Sequence, residues 1–233
     1  MNYTIIVLGI IIVFLVYYLY INYISASKTI LKSVDLNSAN PDITLVDKAE
    51  NVSYGYGAWV YINSWDQNKS KGIFSRSNNI SLYLDTNRPI LKCDISLNSV
   101  NAGTPTTNQS IIITENFPLQ KWVYIIVSVD AGSGNGTIVD CYINGKLVKS
   151  SKITSDAKQP GSATVSPIKI GAGTIWDAVL AKFTRFTKPV DPQTAWDNYL
   201  SGNGSTGLFS IGNFSANLAV LKDNIQYSNV KLF

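Results

Sequence analysis

Residues 121–153 read KWVYIIVSVDAGSGNGTIVDCYINGKLVKSSKI. Three runs rich in β-branched and aromatic residues, at 121–130, 137–143 and 145–153, are divided by a Gly/Ser/Asn cluster and by Asn144-Gly145. That composition suits a pleated, half-buried surface. Asn-Gly between two such runs is a hairpin signal, because a type I′ turn needs positive φ at both central residues. The stretch predicts three antiparallel strands in succession.

The same grammar continues outward. GYGAWVYI (55–62), GIFSR (72–76), ISLYLD (80–85), ILKCDISL (90–97) and IIIT (111–114) lie upstream, with SPIKIGA (166–172) and VLAKFTRF (179–186) downstream. In ILKCDISL, Leu91, Cys93, Ile95 and Leu97 alternate with Ile90, Lys92, Asp94 and Ser96. Strict alternation gives one face to a core and one to water. Many short strands joined by polar turns predict an all-β, antiparallel two-sheet jelly-roll sandwich. One short helix is expected after Asp191, an N-cap residue followed by Pro192 at the first helical position. Trp196 and Leu200 stand four apart, and residues 201–204 (SGNG) stop it. GLFSIGN, NLAVLKD and NIQYSNVKLF predict three more strands, and residues 98–110 an exposed loop.

At the other end, Tyr3 to Ile24 carries no charge. As a helix it would span roughly 33 Å, enough for a hydrocarbon core of about 30 Å. Tyr17, Tyr18, Tyr20 and Tyr23 cluster where amphipathic rings favour headgroups. A cleaved signal peptide is the rival, but no Lys or Arg precedes the run and its length exceeds an h-region. The expected organisation is a single transmembrane helix over 1–24, a linker over 25–42 and a sandwich domain over 43–233. Lys28 and Lys32 follow the helix, so the positive-inside rule places the domain on the cytosolic side.

Composition removes most chemistry. The 233 residues include 16 Gly, 13 Tyr and 5 Trp, but no His, 2 Cys, and Glu only at positions 50 and 115. Without imidazole there is no Ser-His or Cys-His nucleophile and no His-ligated zinc. The net charge of +4 comes from scattered Lys and Arg, not from a clustered basic face, so nucleic acid is not an expected partner.

The order GAWVYI, IFSR, ISLYLD, FPLQKWVYIIVSVD, VDCYINGKLVKS, SPIKIGAG resembles the concanavalin A-like lectin/glucanase superfamily in its laminin-G/pentraxin-like branch. The resemblance covers about residues 50–200. Its most diagnostic part is the strand led by Trp122, followed by Tyr142, Asn144 and Gly145, and it specifies fold far better than function. A narrower likeness lies in AKFTRFTKPVDPQTAWDNYLSGNG (181–204) and in residues 221–224 (LKDN). Both are similar to versions of this domain carried by large double-stranded DNA viruses. That resemblance implies a virion component between an internal membrane and the capsid shell, with the bilayer and capsid or other virion proteins as partners.

Three chemistries remain to be weighed. The superfamily's glucanases use a Glu-x-Asp-x-(x)-Glu strand, and a retaining mechanism needs two carboxylates about 5–5.5 Å apart. Glu50 and Glu115 lie in no such motif, so no catalytic residue and no enzyme activity are expected. Calcium, which relatives often hold at a sandwich rim, would draw on Asp66, Asp85, Asp130 and Asp177. Asp at strand ends is more often a turn former, so no cofactor or metal is expected. For a glycan, the loop candidates are Trp65 with Asp66, framed by Asn63 and Gln67, and then Trp176. Trp59, Trp122 and Trp196 read as core. Cys93 and Cys141 read as two separate buried thiols, with a disulfide open only if their strands are neighbours.

Overall fold

The computed structural model describes residues 3–19, 27–98, 107–131, 136–204, 217–222 and 225–231. Along the chain these form α1 (Tyr3–Leu19), β1 (Ser27–Asp35), β2 (Tyr54–Ile62), β3 (Lys71–Arg76), β4 (Ile80–Leu84), β5 (Leu91–Ser96) and β6 (Asn108–Thr114). There follow β7 (Val123–Asp130), β8 (Thr137–Ile143), β9 (Lys146–Ile153), β10 (Ile168–Ile170), β11 (Ala178–Phe186), α2 (Pro192–Leu200), β12 (Asn217–Lys222) and β13 (Ile225–Lys231).

Two antiparallel sheets make the sandwich. One runs β1-β11-β2-β7-β8-β9 and the other β10-β3-β4-β5-β6. Period-two alternation determines what lies between them. Leu91, Cys93 and Ile95 of β5 face Ile125, Val127, Val129, Val139 and Cys141 from the six-stranded sheet, all within 1% of full burial. The two cysteines therefore sit on opposite sheets, free and buried, and form no disulfide.

β7 is buried along almost its whole length, which explains the unbroken apolar run in its sequence. Its second face is covered by α2. Trp59, Tyr124, Ile126, Tyr142, Phe186, Val190 and Ala195 form a smaller cluster there, with Trp122 and Tyr199 packed against it. A helix of 9 residues is too short to hold by itself and depends on this docking. Asp191 caps it, accepting the Thr194 amide at 2.9 Å, with Pro192 in the first turn as expected.

Three expectations are corrected. The linker expected over 25–42 is largely strand: β1 pairs with β11 from Ser27↔Phe186 to Asp35↔Val179. Its half-exposed pattern and a register shift between Thr29 and Leu31 hide the alternation that marks other strands. SPIKIGA contributes only the three residues of β10, after which Gly171–Gly173 turns as a 3-10 helix with Ala172 at φ 51°. NLAVLKD and NIQYSNVKLF do form strands, but β12 and β13 make a two-stranded sheet of their own. GLFSIGN lies outside the described residues, as does most of the loop expected over 98–110, and Asn108 and Gln109 already belong to β6.

The membrane span expected over 1–24 is described only in part. α1 has 17 residues, or about 25 Å, which is shorter than a hydrocarbon core of about 30 Å. Among the described residues no helix is long and apolar enough to cross a membrane. Tyr20 to Ile24 of the expected span lie outside them. Every large apolar side chain from Val7 to Leu19 is at least 42% exposed.

Candidate functional site

The rim of the sandwich between β2 and β3 carries the best-built polar cluster, and Trp65 is its centre. Trp65 is half-buried and packs against the main core. The Lys71 ammonium lies 4.2 Å from the centre of its ring, a cation–π contact. Lys71 is only 2% exposed and, among the described residues, has no carboxylate partner within ion-pair distance. Its Nζ donates instead to the carbonyl oxygens of Asp66, Lys69 (2.7 Å) and Thr86 (3.0 Å). Burial pulls its pKa below the ordinary lysine value, against the opposing charges of Asp66 and Asp85. The loop is tied at its other side by Asp177, which accepts from Asn63 Nδ2 (2.9 Å) and Ser64 Oγ (2.6 Å). Those two bonds hold its carboxyl below the usual range. Asp66 itself is exposed and makes an Asx turn, accepting the Asn68 amide at 2.9 Å.

Trp176 does not join this rim. It is 1% exposed, and its indole N–H donates to the Gly72 carbonyl at 2.7 Å. A ring enclosed in the core cannot stack on a ligand, so Trp176 is corrected from candidate site to core. Trp65 and Asp66 remain at the surface, with Asn63 and Gln67 exposed beside them. Trp196, read as core, is 38% exposed where it meets the turn at Gly145, while Trp122 lies half-buried against Tyr61 at 5.5 Å.

The hairpin motif is structural in every member. Asn144 and Gly145 take φ of 50° and 76°, as a type I′ turn requires. Asn144 clasps β7 twice, donating its amide to Tyr124 O (2.8 Å) and accepting the Tyr124 amide on Oδ1 (2.9 Å). Tyr142 donates its hydroxyl to Val190 O at 2.9 Å, and burial pushes its pKa up to about 12. A Cβ on Gly145 would stand 2.8 Å from the Trp196 ring, so the turn and α2 fit only with glycine there.

The rim aspartates are engaged one by one. Asp85 pairs with Lys92 at 2.6 Å, and Asp130 accepts from Ser53 at 3.0 Å. Among the described residues no group of three His, Cys, Asp or Glu could hold a metal ion. Glu50 and Glu115 are both exposed, outside the strands.

Sequence reasoning missed a buried cationic centre. Arg76 and Arg185 are 2% and 1% exposed and meet at one acceptor, the Tyr56 hydroxyl, at 3.5 and 2.7 Å. Among the described residues no carboxylate pairs with either. Arg76 donates to the carbonyls of Ala49, Gly161 and Ser166, and Arg185 to those of Asp47 and Lys48. The pair thus fastens the β1–β2 connection and the loop before β10 to the sheets. Desolvation lowers the Arg185 pKa, while the Tyr56 hydroxyl acts in the opposite sense. The available signal was phase: Arg76 and Arg185 stand two residues beyond core Phe74 and Phe183.

The chain belongs to the concanavalin A-like lectin/glucanases superfamily: a laminin-G family model matches residues 35–211. No curated protein matches it in sequence. Among solved structures it is similar to a mutant of HCR/D, with 15% identity and a TM-score of 0.51 over 74% of this chain and 43% of that one. It is also similar to the binding domain of botulinum neurotoxin serotype D, with 14% identity and a TM-score of 0.50 over 72% of this chain and 42% of that one. The serotype D ligand binding domain in complex with N-acetylneuraminic acid shows 16% identity and a TM-score of 0.49, over 72% and 42% of the two chains. The chain spans less than half the length of these structures, and the likeness is one of fold.

Proposed function

We propose that the protein is a membrane-anchored structural component of a viral particle, with a non-catalytic lectin-like sandwich held between an internal membrane and the capsid shell. The observation that carries the anchor is α1, a helix whose large apolar side chains from Val7 to Leu19 are all exposed. A helix apolar on every side belongs in lipid or in a core. The uncharged run continues to Ile24, and as one helix its 22 residues would cover roughly 33 Å. Lys28 and Lys32 then favour the cytosolic side for the sandwich. The virion reading is supported by the resemblance of residues 181–204 and 221–224 to domains of large double-stranded DNA viruses.

In this reading the sandwich acts by contact. Its partners are the bilayer and capsid or other virion proteins; it uses no cofactor and binds no nucleic acid. Fractionation of purified particles tests it. Detergent that strips the membrane should release the protein or leave it with the shell, and alkaline carbonate should leave it with membranes. Its absence from particles would refute the virion assignment.

A second reading, a membrane-anchored glycan-binding module, is favoured by one feature: the surface position of Trp65 beside exposed Asn63, Asp66 and Gln67. An aromatic face framed by polar groups is how proteins grip a pyranose. Glycan-array binding that disappears in Trp65→Ala would select this reading over the first.

A further inference from the structure

The six-stranded sheet ends in β9 and the five-stranded sheet in β6, on the same flank of the sandwich. A bridge between Leu97 and Ala157 closes one end of that flank, with the Asn98 amide donating to Asp156 O and the Lys158 amide to Ser96 O. Beyond it the two edges part around a groove of about 510 Å³, within the size range of ligand sites. Its floor is Ile111 and Ile153, and its polar lining includes Gln109, Ser151, Lys149 and Lys152, with no carboxylate among the described residues. Among the described residues neither edge is paired, so alternate residues of each turn N–H and C=O groups outward.

β9 reads KLVKSSKI, with Lys146, Lys149 and Lys152 all exposed. Lysines along an edge repel a second lysine-bearing edge and so prevent self-pairing. They do not repel an acidic strand. Leu147 (48%), Val148 (45%) and Ile112 (47%) lie exposed alongside, a surface that suits a partner alternating acidic with β-branched residues.

We propose that the groove between β6 and β9 is a docking site for an extended acidic segment of a partner protein, which adds to β9 as a further strand. Main-chain hydrogen bonds supply affinity, and the lysines supply selectivity. The proposal deepens the reading of the sandwich as a protein-docking body and rests on it.

The test uses the full chain in non-ionic detergent micelles with a fluorescein-labelled peptide alternating Glu with Val and Thr. Binding is expected to weaken with salt and to slow amide exchange at 146–153. The double variant Lys149→Glu, Lys152→Glu is expected to lose about tenfold or more in affinity and to accept the Lys counterpart of the peptide. Both lysines are exposed, so an unchanged melting curve verifies that the variant folds. An analogue with proline at alternate positions keeps the charge but lacks N–H donors, and should fail. Equal binding of that analogue, amide protection elsewhere, or no peptide binding by a folded wild type would each overturn the proposal. So would a sulfated oligosaccharide that displaces the peptide and binds more tightly, making the groove a glycan site. None of these outcomes bears on whether the protein fractionates with particles, so the two readings fail separately.

Discussion

At Tyr56 a single hydroxyl serves two buried guanidinium groups that have no carboxylate counter-ion among the described residues. Removing it strands donors that water cannot reach. Tyr56→Phe is expected to cost about 1.5–3 kcal/mol in urea unfolding, the scale for hydrogen bonds to charged groups. Arg185→Met would strand the carbonyls of Asp47 and Lys48 as well, for about 2–4 kcal/mol. The double variant should cost less than the sum, because the two changes delete one shared bond. The thiols allow a cleaner test. Burial raises the Cys93 pKa well above its ordinary value and that of Cys141 to about 12, so at neutral pH both are protonated and enclosed. Both should resist a maleimide in the native protein and react at the rate of unfolding. These residues also mark how far sequence could be read. Trp65 and Trp176 look alike in the chain, each an indole in a polar turn. Their fates diverge because Gly72, 104 positions from Trp176, offers its carbonyl to that indole.

Individual elements were legible in proportion to their periodicity. β5 and β8 alternate cleanly and lie where the sequence put them, and α2 announces itself through its cap and proline. β1 did not, since an edge strand with both faces partly wet and a register shift loses its period. The pairing of Gly145 with α2 was invisible for another reason, being a tertiary fit across 51 residues. Gly145→Ala should therefore cost more than the about 1–2 kcal/mol of a left-handed residue alone, because the added methyl meets the Trp196 ring. The cap is expected to be worth about 1 kcal/mol, read as the urea midpoint shift of Asp191→Ala. Its sign with pH follows from the depressed Asp191 pKa, caused chiefly by the Thr194 hydroxyl and amide bonds. A lowered folded-state pKa means the contribution is complete above the ordinary carboxylate value and fades as pH falls through the lowered one. The difference between wild type and variant should thus shrink below about pH 4.

For the whole molecule, the anchor reading predicts that the full chain partitions into detergent, whereas a chain lacking residues 1–24 stays in the aqueous phase on cloud-point separation. An aqueous full-length chain would remove the membrane from the account. The sandwich as a fold was readable from strand count and turns alone. The use of its surfaces was not, because edges, rims and grooves arise from topology and carry no local signature. One feature of the rim extends to the environment the molecule can inhabit. Lys71 places an ammonium among the oxygens of Asp66, Lys69 and Thr86, supplying from within the chain a positive charge that a loop could otherwise borrow from solution. A counter-charge tethered by covalent bonds cannot be washed out by chelators or diluted in a calcium-poor compartment. The melting temperature should accordingly be the same in EDTA and in millimolar calcium, leaving this end of the body equally well formed wherever the polypeptide travels.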